Sequence, residues 1–116
     1  MSDILANEYQ TLAARTANDF ELESILVNCA LGLTGESGEF ADLIKKWKFH
    51  GHELGQTKLL KEVGDILWYA ARVCTALEVD LSTVMRANIE KLEKRYPNGF
   101  NSADSLARVD VKDGPE

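Results

Sequence analysis

The sequence predicts an all-α fold, an antiparallel four-helix domain. Two observations carry this prediction. Apolar residues recur three and four positions apart along most of the first 100 residues, and no segment shows the sustained alternation of a β-strand. A length of 116 residues is enough for one core but small enough that partner chains help to cover it. We therefore expect one helical domain over residues 1–100 and a polar, flexible tail over residues 101–116.

The first two helices are bounded by capping signals. The first is expected to run from an N-cap at Ser2 or Asp3 to about Thr16. The short connection ANDFE follows, and a second helix is expected over residues 23–48. Gly51 suits the left-handed position that commonly follows a helix end, so the second helix should stop there.

The last two helices follow the polar link ELGQT. A third helix is expected over residues 58–78, with an apolar stripe along one face. Asp80 or Ser82 can cap a fourth helix. That helix should end at Tyr96, because Pro97 disfavours helical geometry at the residue before it.

Composition excludes several classes of protein. The net charge of −6 and the lack of a basic stripe argue against binding to nucleic acid or to anionic membranes. No apolar run approaches the roughly 20 residues of a membrane span, and the amino terminus has no signal-peptide pattern. Cys29 and Cys74 fall on apolar helical stripes, which predicts buried free thiols. A cytoplasmic protein is the expectation.

Acidic residues lie on the apolar stripes of the second and third helices. Glu36 lies between Leu33 and Phe40 at helical spacing, and Glu39 is three residues further on. The third helix repeats the spacing with Glu62 and Asp65. Residues three apart on a helix project from neighbouring points, so antiparallel packing of the two helices would bring four carboxylates together.

A hard divalent cation would remove the repulsion among four such acids. Mg²⁺ or Mn²⁺ prefers oxygen ligands and keeps coordination positions open for a phosphate. Gly35, Gly38 and Gly64 flank the acids and leave room for a ligand. The alternative is two solvated helix faces, since acidic pairs at this spacing are common on protein surfaces. Two pairs on adjacent helices favour the metal site.

These motifs resemble those of a known enzyme family. The stretches GLTGESGEFADLIKKWK, LLKEVGDILWY and NIEKLEKRYPNGF are similar to the motifs of the MazG-like all-α nucleoside triphosphate pyrophosphohydrolases, over residues 26–100. The resemblance implies a helical bundle that pairs into dimers or tetramers, with neighbouring chains completing each site. It also implies Mg²⁺-dependent hydrolysis of (deoxy)nucleoside triphosphates to monophosphate and pyrophosphate. By position, the metal-binding acids are Glu36, Glu39, Glu62 and Asp65. The segment HGHELGQT between the motifs is short for the family.

Cationic residues supply candidates for binding phosphate. Asn88, Lys91 and Arg95 share one face of the fourth helix, and an arginine can bind two phosphate oxygens at once. A solvated face with cations near the helix end is the alternative, and the family resemblance favours the phosphate role. Lys48 is the best candidate among the lysines that close the second helix, where cations are favourable without any ligand.

Aromatic residues could contact the base or the sugar. Trp47 either extends the core stripe or stacks on a base, and Tyr69, one turn after Asp65, matches a family position near the sugar. Phe20 in the first connection is a third candidate. His50 and His52 are more typical of a polar loop than of a transition-metal site.

The functional hypothesis is a Mg²⁺-dependent (deoxy)nucleoside triphosphate pyrophosphohydrolase assembled as a homotetramer, or failing that a dimer. Glu36 and Glu39 are the candidate catalytic carboxylates, with Glu36 nominated as general base. One alternative keeps the fold and the metal but acts on phosphoribosyl-ATP or a nucleoside diphosphate. Another is a catalytically silent helical module that binds a structural cation at a subunit interface. No residue decides the base preference.

Overall fold

Helices account for the regular secondary structure of residues 2–111, the part of the chain that the computed structural model describes. No strand occurs in that range, apart from an isolated bridge between Pro97 and Gly99. The predicted all-α class is confirmed. The elements are α1 (Ala6–Ala14), α2 (Leu22–Phe49), α3 (Gln56–Ala76), α4 (Leu81–Arg95), α5 (Ser102–Ala107) and a 3₁₀ turn (Val109–Val111).

The ends of the helices agree with the sequence signals in most places. α2 ends just before His50, and Gly51 has φ +74°, as its predicted left-handed role requires. α4 ends at Arg95, two residues before Pro97. The predicted N-cap of the first helix was wrong. Leu5 precedes α1 in an extended conformation without a side-chain cap, so Ser2 and Asp3 are too far from the first turn to bond its free N–H groups.

The core lies between α2 and α3, which pack against each other in antiparallel directions. Gly32 on α2 lies against Tyr69 on α3, and the later Glu36 lies beside the earlier Glu62. The buried side chains of the described residues are apolar, and they come from these two helices: Ile25, Cys29, Ala71 and Cys74. Both cysteines are free and buried, as the sequence predicts.

α1 is fastened to α3 by side-chain hydrogen bonds. The indole Nε1 of Trp68 donates to the carbonyl oxygen of Ala13 at 3.0 Å and to Thr16 Oγ1 at 2.9 Å. Closer to the other end of α3, Gln10 Nε2 donates to Thr75 Oγ1 at 3.2 Å. These contacts fix α1 antiparallel to α3, so the three helices share one framework.

Much of the apolar surface of α2 and α3 is left uncovered by the chain itself. Val27 and Leu31, one turn apart on α2, are 54% and 69% exposed. Leu60, Val63 and Leu67 form a similar exposed row on α3. The apolar stripe predicted on the third helix is partly buried within one chain: Val63 and Leu77 are exposed, and the other members, Leu59, Ile66, Ala70 and Val73, are half-buried. Uncovered apolar rows of this kind are typical of surfaces that meet another protein.

The described residues form two compact units, the first ending at Leu81 and the second beginning at Ser82. Part of the predicted tail is helical here, since α5 begins after Asn101, whose Oδ1 accepts a hydrogen bond from the Asp104 N–H at 2.8 Å. Asp110 then pairs with Arg95 at the end of α4. Residues 112–116 of the predicted tail lie outside the described residues. No helix of residues 2–111 is long and apolar enough to cross a membrane.

Gly32 gives a direct test of the α2–α3 packing. A Cβ at this position would overlap the ring of Tyr69, whereas a Cβ at Gly64 meets no atom within 4 Å. We expect Gly32→Ala to lower the free energy of unfolding by about 1–3 kcal/mol through overpacking. Gly64→Ala should instead raise it by about 0.5–1 kcal/mol, because alanine is the better helix former. Equal urea midpoints for the two variants would show that Tyr69 does not pack on Gly32.

Candidate metal and phosphate site

Three of the four predicted acids converge between α2 and α3. Glu36, Glu62 and Asp65 each place a carboxylate oxygen so that the three oxygens lie within 4.8 Å of one another. Their convergence follows from the antiparallel packing of the two helices, because each acid flanks the stripe through which its helix packs. Glu36 and Glu62 are half-buried and Asp65 is exposed, so the cluster opens to solvent on one side.

Two oxygens of this cluster lack a hydrogen-bond donor. Glu36 Oε2 and Glu62 Oε2 are buried, and no donor of the described chain reaches them. Buried carboxylate oxygens without partners are costly. Contact with the Glu36 carboxylate, then burial, then the Glu39 carboxylate raise the pKa of Glu62 to about 7. Two carboxylates this close repel each other when both are ionised, and a shared proton or a bound cation relieves that repulsion.

A divalent cation fits this arrangement. Oxygen ligands of Mg²⁺ lie at about 2.1 Å from the ion and hence about 3–4 Å from one another. The three oxygens lie within 4.8 Å of one another, so small side-chain movements would bring them to that spacing. The donor set is entirely carboxylate, which suits Mg²⁺ or Mn²⁺ better than softer metals. The unpartnered oxygens of Glu36 and Glu62 would then acquire a partner.

An open pocket of about 550 Å³ adjoins the acids. Glu39 lines it beside Glu62, and Gly35 and Gly38 form part of its wall, with open space where a Cβ would stand. The predicted room for a ligand beside these two glycines is therefore present. The remaining lining residues are Asp42, Leu43, Lys58 and Lys61.

Lys58 and Lys61 are candidate phosphate ligands that the sequence analysis missed. Both are exposed on α3 and line the same pocket as Glu39 and Glu62. The available signal was their spacing, since Lys58 lies four residues before Glu62 and Lys61 four residues before Asp65, and residues four apart share a helix face. Beside a carboxylate cluster that can hold a metal, two ammonium groups would give the pocket the mixed charge that a metal-bound phosphate needs.

Comparison with known proteins places the chain in a family. Residues 20–100 match the family described as MazG nucleotide pyrophosphohydrolase domain, and this range contains all four acids. The chain belongs to the MazG family. The Gene 37 protein of Mycobacterium phage L5 is 34% identical over 100 residues, which cover 78% of this chain and 88% of the phage protein. No solved structure matches.

Among the other predicted MazG site residues, Tyr69 lies nearest to the acids along the helices. Its ring packs on Gly32, one turn before Glu36, and meets the Trp68 ring edge-on at a centroid distance of 5.1 Å. A further residue was missed on α1. Burial, together with the charge of Asp65, raises the pKa of Tyr9, so its phenol belongs to the surroundings of the cluster.

Three other predicted site residues, Trp47 and Lys48 on α2 and Phe20 just before it, do not line the pocket beside the acids. Trp47 is 45% exposed, so it does not extend the core of the single chain, and Lys48 is exposed beside it. Phe20 lines a separate groove with Val27 and Leu31, and none of the four acids lines that groove. The structure therefore does not bring these three candidates into the pocket beside the acids.

The cations at the end of α2 are partly engaged within the helix. Asp42 accepts from Lys45 at 3.1 Å and from Lys46 at 2.8 Å, and these two hydrogen bonds lower its pKa. This agrees with the alternative that lysines at the end of a helix are favourable without any ligand. Within residues 2–111, His50 and His52 do not belong to a group of three side chains that could hold a metal. The group found in that range is the carboxylate cluster.

The predicted phosphate ligands of α4 belong to the second unit. Asn88 and Lys91 are exposed. Arg95 is half-buried, and its Nε and Nη2 donate to the two carboxylate oxygens of Asp110 at 2.7 and 2.8 Å. Its guanidinium therefore has an anionic partner within its own chain.

The raised pKa of Glu62 predicts how stability depends on pH in the absence of metal. Between the ordinary value of 4.5 and about 7, the folded chain holds more protons than the unfolded chain. The free energy of unfolding should therefore fall as the pH rises through this window. We expect the melting temperature in EDTA to be lower at about pH 8 than at about pH 5.

Calorimetry of variants tests this assignment. In Glu62→Gln the melting temperature should fall less as the pH rises, because the amide does not titrate. Glu93→Gln, which changes an exposed acid of α4, should keep the wild-type profile. A Glu62→Gln profile identical to wild type would show that another group is responsible.

Proposed function

We propose that this MazG protein hydrolyses (deoxy)nucleoside triphosphates to the monophosphate and pyrophosphate, with Mg²⁺ as cofactor and Mn²⁺ as a substitute. Cleavage of the bond between the α and β phosphates in the cytoplasm would control nucleotide pools. The observation that carries the proposal is the convergence of Glu36, Glu62 and Asp65, with two unpartnered oxygens, beside a pocket lined by lysines. Membership of a nucleotide pyrophosphohydrolase family supports the reaction type.

Each acid has a proposed role. Glu36, Glu62 and Asp65 would hold the ion, which when bound would supply charge stabilisation and lower the pKa of the attacking water. The sequence analysis nominated Glu36 as the base. The geometry favours Glu39, which is not one of the three acids whose oxygens converge and which lines the pocket, so its carboxylate is placed to accept the water proton. Glu36, with one oxygen buried in the cluster, is better suited to hold the ion.

Cationic residues are proposed to bind the phosphates. Lys58 and Lys61 line the pocket and would balance the charge of the leaving pyrophosphate. Asn88, Lys91 and Arg95 on α4, and Lys48 on α2, are further candidates from the sequence. For the nucleoside, Tyr69 is the best-supported aromatic, because its ring stands one turn from the acids on each helix. Trp47 and Phe20 remain candidates for contact with the base.

We further propose a homotetramer built from dimers, with a dimer as the fallback. The exposed apolar rows of α2 and α3 support assembly, because leaving them in water is unfavourable. The expected result is a mass of two or four chains by light scattering at micromolar concentration. Replacing Leu31, which is 69% exposed, with Glu should lower the mass. A wild-type monomer would contradict the proposal.

The substrate panel tests the function. Pyrophosphate release should be measured with four dNTPs, four NTPs and dUTP, each with Mg²⁺, with Mn²⁺ and with EDTA. We expect metal-dependent release from at least one triphosphate. Release from phosphoribosyl-ATP alone, or hydrolysis of nucleoside diphosphates alone, would favour the alternative substrates. Metal-dependent assembly without any hydrolysis would identify a silent module, although the lysines of the pocket argue against that outcome.

A further inference from the structure

The C-terminal segment, residues 101–111, reaches α4 through Asp110. Both carboxylate oxygens of Asp110 accept hydrogen bonds from Arg95, and the side chains of the pair are only 6% and 15% exposed. The hydrogen bonds from Arg95 hold the pKa of Asp110 below its usual value. Arg108, which ends α5 with φ +47°, turns the chain before this contact. The pair is thus a defined, two-bond contact rather than a chance surface approach.

The contact uses the donors that a phosphate would use. The planar guanidinium presents two parallel N–H groups, which bind a carboxylate or a phosphate in the same bidentate way. Arg95 already gives Nε and Nη2 to Asp110. That edge of the guanidinium therefore cannot serve a phosphate until Asp110 leaves.

Little apolar burial holds the segment in place. Leu106 is 86% exposed, and Val109 and Val111 are about half exposed. α5 has only six residues, too few to be stable by itself. Release of the segment would therefore expose little additional apolar surface, and the Arg95–Asp110 pair is a two-bond polar contact that joins the described part of the segment to α4.

We propose that residues 101–111 act as an autoinhibitory latch: Asp110 occupies the edge of Arg95 that would bind a substrate phosphate, and the phosphate must displace it. This inference rests on the proposed phosphate-binding role of Arg95. The latch lies beyond residues 20–100, which match the family, so it is an addition to the matched domain. When a binding residue is free only part of the time, the apparent affinity is reduced by that fraction.

The first test compares charge-neutralised variants of the full chain. Inorganic pyrophosphate is titrated with Mg²⁺ present, and its dissociation constant is measured by calorimetry. Asp110→Asn should bind it on the order of tenfold more tightly than wild type, because the competing charge is gone. Asp104→Asn makes the same change within the segment, at a residue that contacts Asn101, and should bind as wild type does. Equal or weaker binding by Asp110→Asn would overturn the latch.

The second test uses the wild-type chain. Linkage requires that an anion displacing Asp110 should also loosen the segment. Trypsin cleavage after the exposed Arg108, followed by mass spectrometry, should therefore become faster when Mg²⁺ and pyrophosphate are added. Unchanged or slower cleavage would show that the pair is a structural anchor. This readout does not depend on the folding of any variant.

The two proposals fail differently. A chain that releases pyrophosphate from triphosphates, but whose Asp110→Asn variant binds pyrophosphate as wild type does, keeps the proposed function and loses the latch. A chain whose Asp110→Asn variant binds pyrophosphate more tightly, but which hydrolyses no triphosphate, keeps the latch and loses the function.

Discussion

Glu62→Gln should reduce turnover by about three orders of magnitude or more while making the metal-free protein more stable. The amide keeps the shape of the side chain but removes a charge from the converging acids, where contact with the Glu36 carboxylate and burial raise the pKa of Glu62. Loss of a charged ligand weakens metal binding and with it the stabilisation of the transition state. Functional sites often contain groups that lower stability but are needed for activity.

Calorimetry with and without Mg²⁺ separates the two effects. The ion should raise the melting temperature of wild type and hardly that of Glu62→Gln, because a ligand stabilises only the state that binds it. Asp65→Asn should lose activity similarly, with a smaller gain in stability because Asp65 is exposed. Glu93→Gln is the control and should change neither property. A Glu62→Gln variant that melts below wild type in EDTA, or keeps most of its activity, would refute the cluster as a metal site.

The double variant Lys58→Gln/Lys61→Gln should lower kcat/KM by about 10- to 100-fold. A hydrogen bond to a charged group contributes about 1.5–3 kcal/mol, which is one to two orders of magnitude in rate. Both lysines line the pocket beside Glu39 and Glu62. Stability should change little, because both side chains are exposed.

The matched control is Lys45→Gln. Lys45 is also an exposed lysine, but it contacts Asp42 and does not line the pocket. Steady-state kinetics with the best triphosphate of the substrate panel gives the comparison. If the double variant and the control have the same kcat/KM, then Lys58 and Lys61 are solvated residues and the phosphates bind elsewhere.

Local patterns in the sequence were sufficient to predict that acids of α2 and α3 lie close together, and to predict most helix ends. Glu36 and Glu62 stood on apolar stripes, so helix packing had to bring them towards each other, and the structure places them side by side. Gly51 and Pro97 act through their own backbone restrictions, which do not depend on distant residues. These parts of the fold are determined by short segments of the chain.

Long-range partners were not predictable in the same way. The partner of Arg95 lies 15 residues away, beyond a helix that the sequence analysis expected to be a tail. Asn101, three residues before Asp104, was an N-cap signal for that helix. Leu5 shows the converse case, in which a helix begins without a side-chain cap although capping residues lie nearby.

Product analysis of one reaction tests the central claim most directly. Wild-type protein and Glu62→Gln are incubated with a triphosphate that the wild type hydrolyses, in Mg²⁺ and in EDTA. The phosphorus species are followed by ³¹P NMR. The carboxylate cluster predicts monophosphate and intact pyrophosphate from wild type in Mg²⁺, no reaction in EDTA, and far slower formation of the same products by the variant. Nucleoside diphosphate and orthophosphate as primary products, or equal turnover in EDTA, would contradict it.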